Sequence, residues 1–263
     1  MLFEFYKYQG TGNDFVIIDN RTAAFDATNQ NLIAKICDRR FGIGADGFML
    51  LEHAKDAQDD FKMVYFNADG NESTMCGNGG RCLVAFAHHL GIFEQETHFM
   101  AIDGRHYARM TSDKQVCLQM IDMEEVQHLE THSFLDTGSP HHVQQVSHLE
   151  IFDVYTEGKN IRYGAPYFEK GTNVNFVEQF SSDTFKVRTY ERGVEDETLA
   201  CGTGVTAVAI AMYDKGITTH ENLLLKVEGG ELQVRFLPLP DNRYTDVFLT
   251  GPAELVFKGV YTI

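Results

Sequence analysis

One pattern occurs twice in this chain: a strand, a polar loop, the motif Cys-Gly-x-Gly, and an apolar helix. The first copy passes through Cys76-Gly-Asn-Gly into the apolar run 82–90, and the second passes through Cys201-Gly-Thr-Gly into the run 205–212. Strand-like segments follow each helix. The motifs lie 125 positions apart (201 − 76), close to half of the 263 residues. We interpret the pattern as an internal duplication that predicts two lobes of similar plan.

The predicted lobes divide the chain near its middle. We expect an N-terminal lobe over residues 1–125, which carries Cys76, and a C-terminal lobe over residues 126–263, which carries Cys201. A chain with 43% apolar residues can bury a core in each. The alternative for the last strands, within residues 247–260, is a return to the first lobe.

Charge and cysteine usage exclude several classes of partner. The formal net charge of −16 repels nucleic acid and anionic lipid surfaces. No apolar run approaches the ~20 residues of a membrane helix, and the opening residues MLFEFYKYQG lack the basic and apolar regions of a signal peptide. Five widely spaced cysteines are typical of thiols in a reducing compartment. These features predict a cytoplasmic protein with a small-molecule ligand.

The two motifs share one chemical design. Each places a thiol at the expected first turn of a helix, where partial positive charge favours a thiolate and binds carboxylates. The glycines allow a ligand to approach the backbone N–H groups closely. Two such thiols, one on each wall of a cleft, fit the inversion of a stereocentre, because one removes a proton and the other delivers one to the opposite face.

Other interpretations of the cysteines are weaker. Cys37, Cys82 and Cys117 fit small buried hydrophobic residues. A disulfide between Cys76 and Cys201 would block acid/base chemistry. No Cys-x-x-Cys or Cys/His pair has the spacing of a zinc site, and no Gly-Lys-Ser/Thr follows the glycines as in a phosphate loop. The sequence therefore predicts neither a metal nor another cofactor.

Three segments resemble the signatures of diaminopimelate epimerases: residues 8–15 (YQGTGNDF), residues 66–82 around CGNGGRC, and residues 190–204, from YERG to CGTG. The resemblance implies an α+β fold in which each lobe is a mainly antiparallel sheet wrapped around a central helix, with the active site in the cleft between lobes. It also implies a homodimer that interconverts LL- and meso-2,6-diaminopimelate without pyridoxal phosphate.

The resemblance assigns roles residue by residue. Cys76 and Cys201 match the catalytic pair, and Glu191 and His141 match residues that tune the thiols and contact the substrate amine. The remaining matches bind substrate, through N–H groups at the two helix starts or through side chains at its far end: Asn13, Asn67, Gly77, Asn78, Asn173, Arg192, Gly202 and Thr203. Two positions depart from the family pattern, because Ser139 replaces an asparagine and Gly47 replaces a glutamine.

Two other functions remain open at this stage. A proline or hydroxyproline racemase would share the fold, but such enzymes typically carry a histidine where this chain has Asn78 and have no need for Arg192. A non-catalytic redox sensor would use the thiols as a switch, although a switch does not require two carboxylate-binding loops.

Overall fold

The computed structural model describes residues 2–262, and within them lie seventeen strands and four α-helices. The strands are β1 (Leu2–Gly10), β2 (Asn13–Asp19), β3 (Gly47–Glu52), β4 (Phe61–Asn67), β5 (Glu96–Ala101), β6 (Gly104–Met110), β7 (Val116–Gln119), β8 (Gln127–His128), β9 (Ser133–Asp136), β10 (Pro140–Gln145), β11 (Asn173–Gln179), β12 (Thr184–Glu191), β13 (Asp196–Thr198), β14 (Asn222–Val227), β15 (Gly230–Pro238), β16 (Tyr244–Gly251) and β17 (Glu254–Thr262). The helices are α1 (Gln30–Cys37), α2 (Gly77–His89), α3 (Val154–Tyr163) and α4 (Gly202–Asp214).

The described residues form two compact units, and unit 1 comprises residues 2–118 and 251–262. Its strands pair in the order β17-β1-β2-β3-β4-β5-β6-β7, antiparallel except for β2–β3 and β4–β5. Strand β2 is apolar on both faces: Val16 and Ile18 belong to the core cluster that includes Ile33 of α1, whereas Phe15 approaches Gly79 of α2. This two-sided burial places α2 against the centre of the sheet.

Unit 2 comprises residues 119–250, and its strands pair in the order β8-β9-β10-β11-β12-β14-β15-β16, with β13 on β12. Residues 204–212 of α4 are all buried, as expected of a helix that is apolar on every side. On β11, Val174 and Phe176 pack in the cluster that includes Val154 of α3. Their alternating neighbour Asn175 approaches Gly204 of α4 instead.

Both units combine a mixed sheet with a buried central helix, which confirms the predicted α+β class. The units divide at residues 118 and 119, and the strand β17 belongs to unit 1. The domain bounds 1–125 and 126–263 stay a prediction. Within residues 2–262 no helix is long and apolar enough to span a membrane.

Candidate active site

Cys76 is the N-cap residue of α2, in extended backbone geometry. Its Sγ accepts a hydrogen bond from the backbone N–H of Gly79 at 3.2 Å, and its carbonyl oxygen accepts one from Gly80. The positive end of the helix dipole and the N–H donor both favour the thiolate over the thiol. The first turn tolerates little bulk, since a Cβ on Gly79 would lie 3.0 Å from the Cys76 Sγ.

A chain of amides joins this helix start to a carboxylate in unit 1. Arg81 Nη2 donates to Asn78 Oδ1 at 3.0 Å, Asn78 Nδ2 donates to Asn13 Oδ1, and Asn13 Nδ2 donates to Asp46 Oδ2 at 3.1 Å. The guanidinium only donates and the carboxylate only accepts, so the chemistry of the two ends fixes the orientation of both amides. The structure thus brings Asn13, Asn78 and Cys76 together around the start of α2.

Arg81 is fully buried, and its hydrogen-bond acceptors within the described residues are neutral. They are Thr11 Oγ1 at 2.7 Å, Asn78 Oδ1, and the carbonyl oxygens of Gly77 and Pro252. Burial lowers the pKa of the guanidinium to about 10, so it stays charged at neutral pH. A buried cation whose direct partners are neutral creates a positive field at this helix start, which attracts anions.

Asn67 ends β4, with its backbone paired to Gly47 of β3. Its N–H donates to the Asn71 carbonyl at 3.0 Å, and its side chain is exposed. This placement leaves the amide accessible to a ligand. Its predicted role in substrate binding stays a prediction.

Gly47, one of the two positions expected to depart from the family pattern, lies in a crowded position. A Cβ there would lie 2.6 Å from Tyr65 Cε2 and 3.0 Å from the Phe66 carbonyl oxygen. The Tyr65 ring therefore occupies the space that a side chain at position 47 would need.

We expect Gly47→Ala to lower the free energy of unfolding by about 1–3 kcal/mol, because the extra carbon overpacks the site against Tyr65. In the background of Tyr65→Leu the same change should cost less, with a coupling energy of about 1 kcal/mol. Urea unfolding of the four proteins in this double-mutant cycle measures the coupling. Additive costs would show that the ring is not the obstacle.

In unit 2, Cys201 is the N-cap residue of α4 and is buried. Its Sγ lies 3.5 Å from Thr203 Oγ1, and its carbonyl accepts from the N–H of Val205. A residue outside the helix also contacts its first turn: Thr137 Oγ1 donates to the Thr203 carbonyl at 2.9 Å. Both cysteines therefore cap a buried helix, as the sequence motifs predicted.

Three of the predicted substrate contacts lie where the start of β11 meets the end of β12: Asn173, Glu191 and Arg192. Asn173 Oδ1 accepts the backbone N–H of Arg192 at 2.9 Å, and Asn173 Nδ2 donates to Ser139 Oγ at 2.8 Å. The exposed Arg192 side chain donates to the Lys170 carbonyl. Glu191 Oε2 accepts from Thr198 Oγ1 at 3.0 Å. Ser139, the departure from the family pattern, thus supplies a partner for Asn173.

His141 is fully buried on β10. Its burial, together with the positive charge of Arg192, lowers the imidazole pKa to about 3. Its Nδ1 lies 3.1 Å from Asn175 Nδ2, and its Nε2 is the buried side-chain atom that has no hydrogen-bond partner in the described part of the chain. His141 is therefore neutral at physiological pH.

Sequence reasoning missed Arg81 and Asn175, which carry the two polar networks. Arg81 stands inside the recognised motif, and its spacing of one helical turn from Gly77 is the signal that it turns back on the helix start. The other three cysteines, Cys37, Cys82 and Cys117, are buried, as expected for structural residues. Within residues 2–262 no group of three His, Cys, Asp or Glu is placed to hold a metal ion.

The sequence is similar to known proteins over nearly its full length. The family model described as diaminopimelate epimerase matches residues 5–129 and 133–256. The diaminopimelate epimerase of Flavobacterium psychrophilum is 56% identical over 253 residues, covering 96% of this chain and 98% of the relative. That of Chlorobaculum tepidum is 45% identical over 262 residues, covering 97% and 99%.

Solved structures share the fold at low sequence identity. A phenazine biosynthesis protein of the PhzF family from Bacillus anthracis has a TM-score of 0.78 at 12% identity, covering 100% of both chains. A hydroxyproline epimerase from Agrobacterium vitis has a TM-score of 0.68 at 14% identity, covering 98% of this chain and 92% of that one. These likenesses establish the fold, and the matches in sequence establish the family: the chain belongs to the diaminopimelate epimerase family.

Proposed function

We propose that this protein interconverts LL-2,6-diaminopimelate and meso-2,6-diaminopimelate, a step in the synthesis of lysine and peptidoglycan precursors, without pyridoxal phosphate. The observation that carries the proposal is the position of Cys76 and Cys201, each of which caps a buried central helix. Membership of the family, with relatives named for this activity over nearly their whole length, supports the choice of substrate.

The proposed mechanism uses the two thiols as a two-base pair. A thiolate on one cysteine takes the α-proton from one face of the carbon and becomes a thiol. The thiol of the other cysteine gives its proton to the opposite face and becomes a thiolate. The stereocentre is inverted, no proton is gained or lost, and the enzyme is ready for the reverse reaction. The mechanism requires both sulfur atoms to reach the same carbon from opposite sides.

The helix starts supply the charge stabilisation that this chemistry needs. Loss of the α-proton moves negative charge onto the substrate carboxylate. We assign its hydrogen-bond donors to the N–H groups of Gly77 and Asn78 on α2 and of Gly202 and Thr203 on α4. Donors that are fixed before the reaction stabilise such charge without reorganisation. The buried positive charge of Arg81, next to Gly77, also stabilises this negative charge.

The far end of diaminopimelate carries a second ammonium and a second carboxylate. We assign the carboxylate to the Arg192 guanidinium, and the polar atoms around it to Asn13, Asn67 and Asn173. Charge-assisted hydrogen bonds from a guanidinium to a carboxylate are among the strongest polar contacts, so Arg192 is the residue best suited to bind this carboxylate. Support comes from Asn173, which holds the Arg192 backbone, and from Asp46, which holds Asn13. We assign to the Glu191 carboxylate a hydrogen bond from a substrate ammonium group.

We extend the proposal to a homodimer in the cytoplasm, on the resemblance to the family. Analytical ultracentrifugation of the purified chain tests the assembly: a single species of twice the mass supports a dimer, and a monomer at micromolar concentration contradicts it.

The test of function is incubation with LL-diaminopimelate in deuterated water, followed by mass spectrometry and chiral separation. We expect one deuterium at the inverted α-carbon and growth of the meso isomer to equilibrium. L-lysine, which lacks the second amino-acid head, is the matched control and should exchange far more slowly. Exchange of trans-4-hydroxy-L-proline without exchange of diaminopimelate would replace the proposal by an imino-acid racemase.

A further inference from the structure

A buried polar network holds the His141 ring in unit 2. Asn175 lies on β11 with no exposed surface, one strand away from His141 on β10. Its Nδ2 lies 3.0 Å from the His142 carbonyl oxygen and 3.1 Å from His141 Nδ1, and its Oδ1 lies 3.0 Å from Thr189 Oγ1. All three polar contacts of the amide are within hydrogen-bond distance.

The partners decide which way the Asn175 amide faces. A carbonyl oxygen can only accept, so the atom next to the His142 carbonyl must be the NH2 group. The second N–H of that group then points at His141 Nδ1, which must carry a lone pair rather than a proton. The Thr189 hydroxyl donates to the remaining Oδ1 and anchors the amide in this orientation.

The tautomer of His141 follows from this arrangement. The ring is fully buried, and Arg192 adds a positive charge nearby, so the imidazole is neutral at physiological pH. With Nδ1 occupied by the Asn175 N–H, the ring proton is on Nε2. This Nε2–H group is buried and has no acceptor among residues 2–262. An unsatisfied buried donor costs free energy, which an arriving acceptor recovers.

The network adjoins the start of α4. A Cβ on Gly204 would lie 2.4 Å from Asn175 Oδ1 and 3.3 Å from Cys201 Sγ. The amide is thus packed against the first turn of α4, next to the thiol that caps it. Partial positive charge at a helix start already favours an anion there.

We propose that Asn175 is a positioning residue that locks the Nε2–H tautomer of His141, and that this buried donor without a partner serves an anionic acceptor at the start of α4. The inference deepens the proposed function and rests on it for the identity of the anion. An ammonium group has no lone pair to accept this hydrogen bond, so His141 does not hold the substrate amine as the family resemblance implied. The amine is left to the Glu191 carboxylate. The acceptor is the substrate carboxylate or the Cys201 thiolate.

The tautomer can be measured without substrate. The full-length protein is labelled with 15N-histidine, and long-range 1H–15N correlation spectra are recorded from pH 5 to pH 8. The His141 signals are assigned by their loss in His141→Gln. We expect an unprotonated Nδ1 and a protonated Nε2 throughout this range. A proton on Nδ1, or titration between pH 5 and pH 8, would overturn the proposal. Both outcomes are independent of whether diaminopimelate is the substrate.

Two variants test the part played by Asn175. Asn175→Asp replaces the N–H donor by an acceptor, so we expect a proton on His141 Nδ1 and a fall in kcat/KM of about 10- to 100-fold. Thr189→Val removes the anchor of the amide and should cost about tenfold, whereas Thr189→Ser keeps the hydroxyl and serves as the matched control. An unchanged tautomer in Asn175→Asp would contradict the proposal, as would a kcat/KM of Thr189→Val equal to that of Thr189→Ser. If Asn175→Asp fails to fold, the comparison of kcat/KM between Thr189→Val and Thr189→Ser decides.

The same spectra distinguish the two anions. A downfield shift of the Nε2–H proton on addition of diaminopimelate identifies the substrate carboxylate. A shift that follows pH without ligand, and that is absent in Cys201→Ser, identifies the thiolate. If the proton responds to neither, the anionic acceptor is wrong. If wild type neither binds nor exchanges diaminopimelate while the tautomer is as expected, the proposed substrate fails and the role of Asn175 stands.

Discussion

Cys76→Ser and Cys201→Ser each lower the rate of diaminopimelate interconversion by about 10³-fold or more, in both directions. Each thiol is base in one direction and acid in the other, and loss of one acid/base group costs ~10²–10⁴-fold. Serine keeps the size and the hydrogen bond of Cys76 to Gly79, but its hydroxyl does not ionise near neutral pH. The rate of approach to equilibrium from either isomer, followed by chiral separation, measures the loss.

Cys37→Ala is the matched control for these variants. Cys37 is buried at the end of α1, and burial raises the pKa of its thiol to about 12, so it is protonated at neutral pH. The change removes a thiol without touching either helix start, so we expect kcat within about twofold of wild type and a stability cost of ~1 kcal/mol. A variant of Cys76 or Cys201 that keeps more than a tenth of wild-type activity would contradict the two-base mechanism.

The chemistry at the helix starts was predictable because it is local. A thiol followed by Gly-x-Gly and an apolar run contains both the cap and the helix in adjacent residues, and the structure places Cys76 and Cys201 at the two N-caps. The same pattern predicted two lobes of similar plan, whereas the α+β class was implied by the resemblance to the family. The identity of the substrate did not follow from this pattern, because only the family matches distinguish diaminopimelate from other amino acids.

The burial of the first turn of α2 was less predictable than the position of its N-cap residue. Its composition indicates a flexible loop over residues 67–81, yet residues 77–81 are helical and buried. The reason is in part tertiary, because a Cβ on Gly80 would lie 3.1 Å from Leu118 Cδ2, and one on Gly79 would lie 3.5 Å from both Met49 and Phe15. Glycine here provides close packing rather than flexibility, which a single sequence does not reveal.

The role of Asn175 was out of reach for a related reason. Its neighbour Asn173 has the same residue type and the same face of β11, and both are buried. Strand register alone places Asn173 opposite His141 and Asn175 opposite Val143, while the side chain of Asn175 still reaches His141 Nδ1. Such diagonal contacts between strands depend on side-chain conformation.

Arg81 is the residue on which the first half of the site depends most. One guanidinium serves Thr11, Asn78, and the carbonyls of Gly77 and Pro252, and through Asn78 it orients Asn13. Lysine keeps the charge, but its single ammonium cannot serve four acceptors in these directions. Methionine keeps most of the volume and removes both the charge and the donors.

We expect Arg81→Met to lower the free energy of unfolding by about 2 kcal/mol, because the cost of four acceptors without a donor exceeds the gain from removing a desolvated charge. We expect kcat/KM to fall by about 100-fold, since Asn78 and Asn13 lose their orientation and the anion at α2 loses a nearby cation. Arg81→Lys should lose less of the free energy of unfolding and less of kcat/KM than Arg81→Met. The exposed Arg243, paired with exposed Asp241, is the control, and Arg243→Met should change stability by less than ~0.5 kcal/mol.

The reactivity of the Cys76 thiol distinguishes the effect of the Arg81 charge from the effect of Arg81 on the geometry of the helix start. Alkylation by iodoacetamide follows the thiolate fraction, and peptide mapping isolates the signal of Cys76. If the buried cation favours the thiolate, the pH midpoint of alkylation moves upward in Arg81→Met and stays close to wild type in Arg81→Lys. A midpoint that moves equally in both variants would mean that Arg81 acts on Cys76 only through the geometry of the helix start. A midpoint that moves in neither would confine Arg81 to holding Asn78 and Asn13.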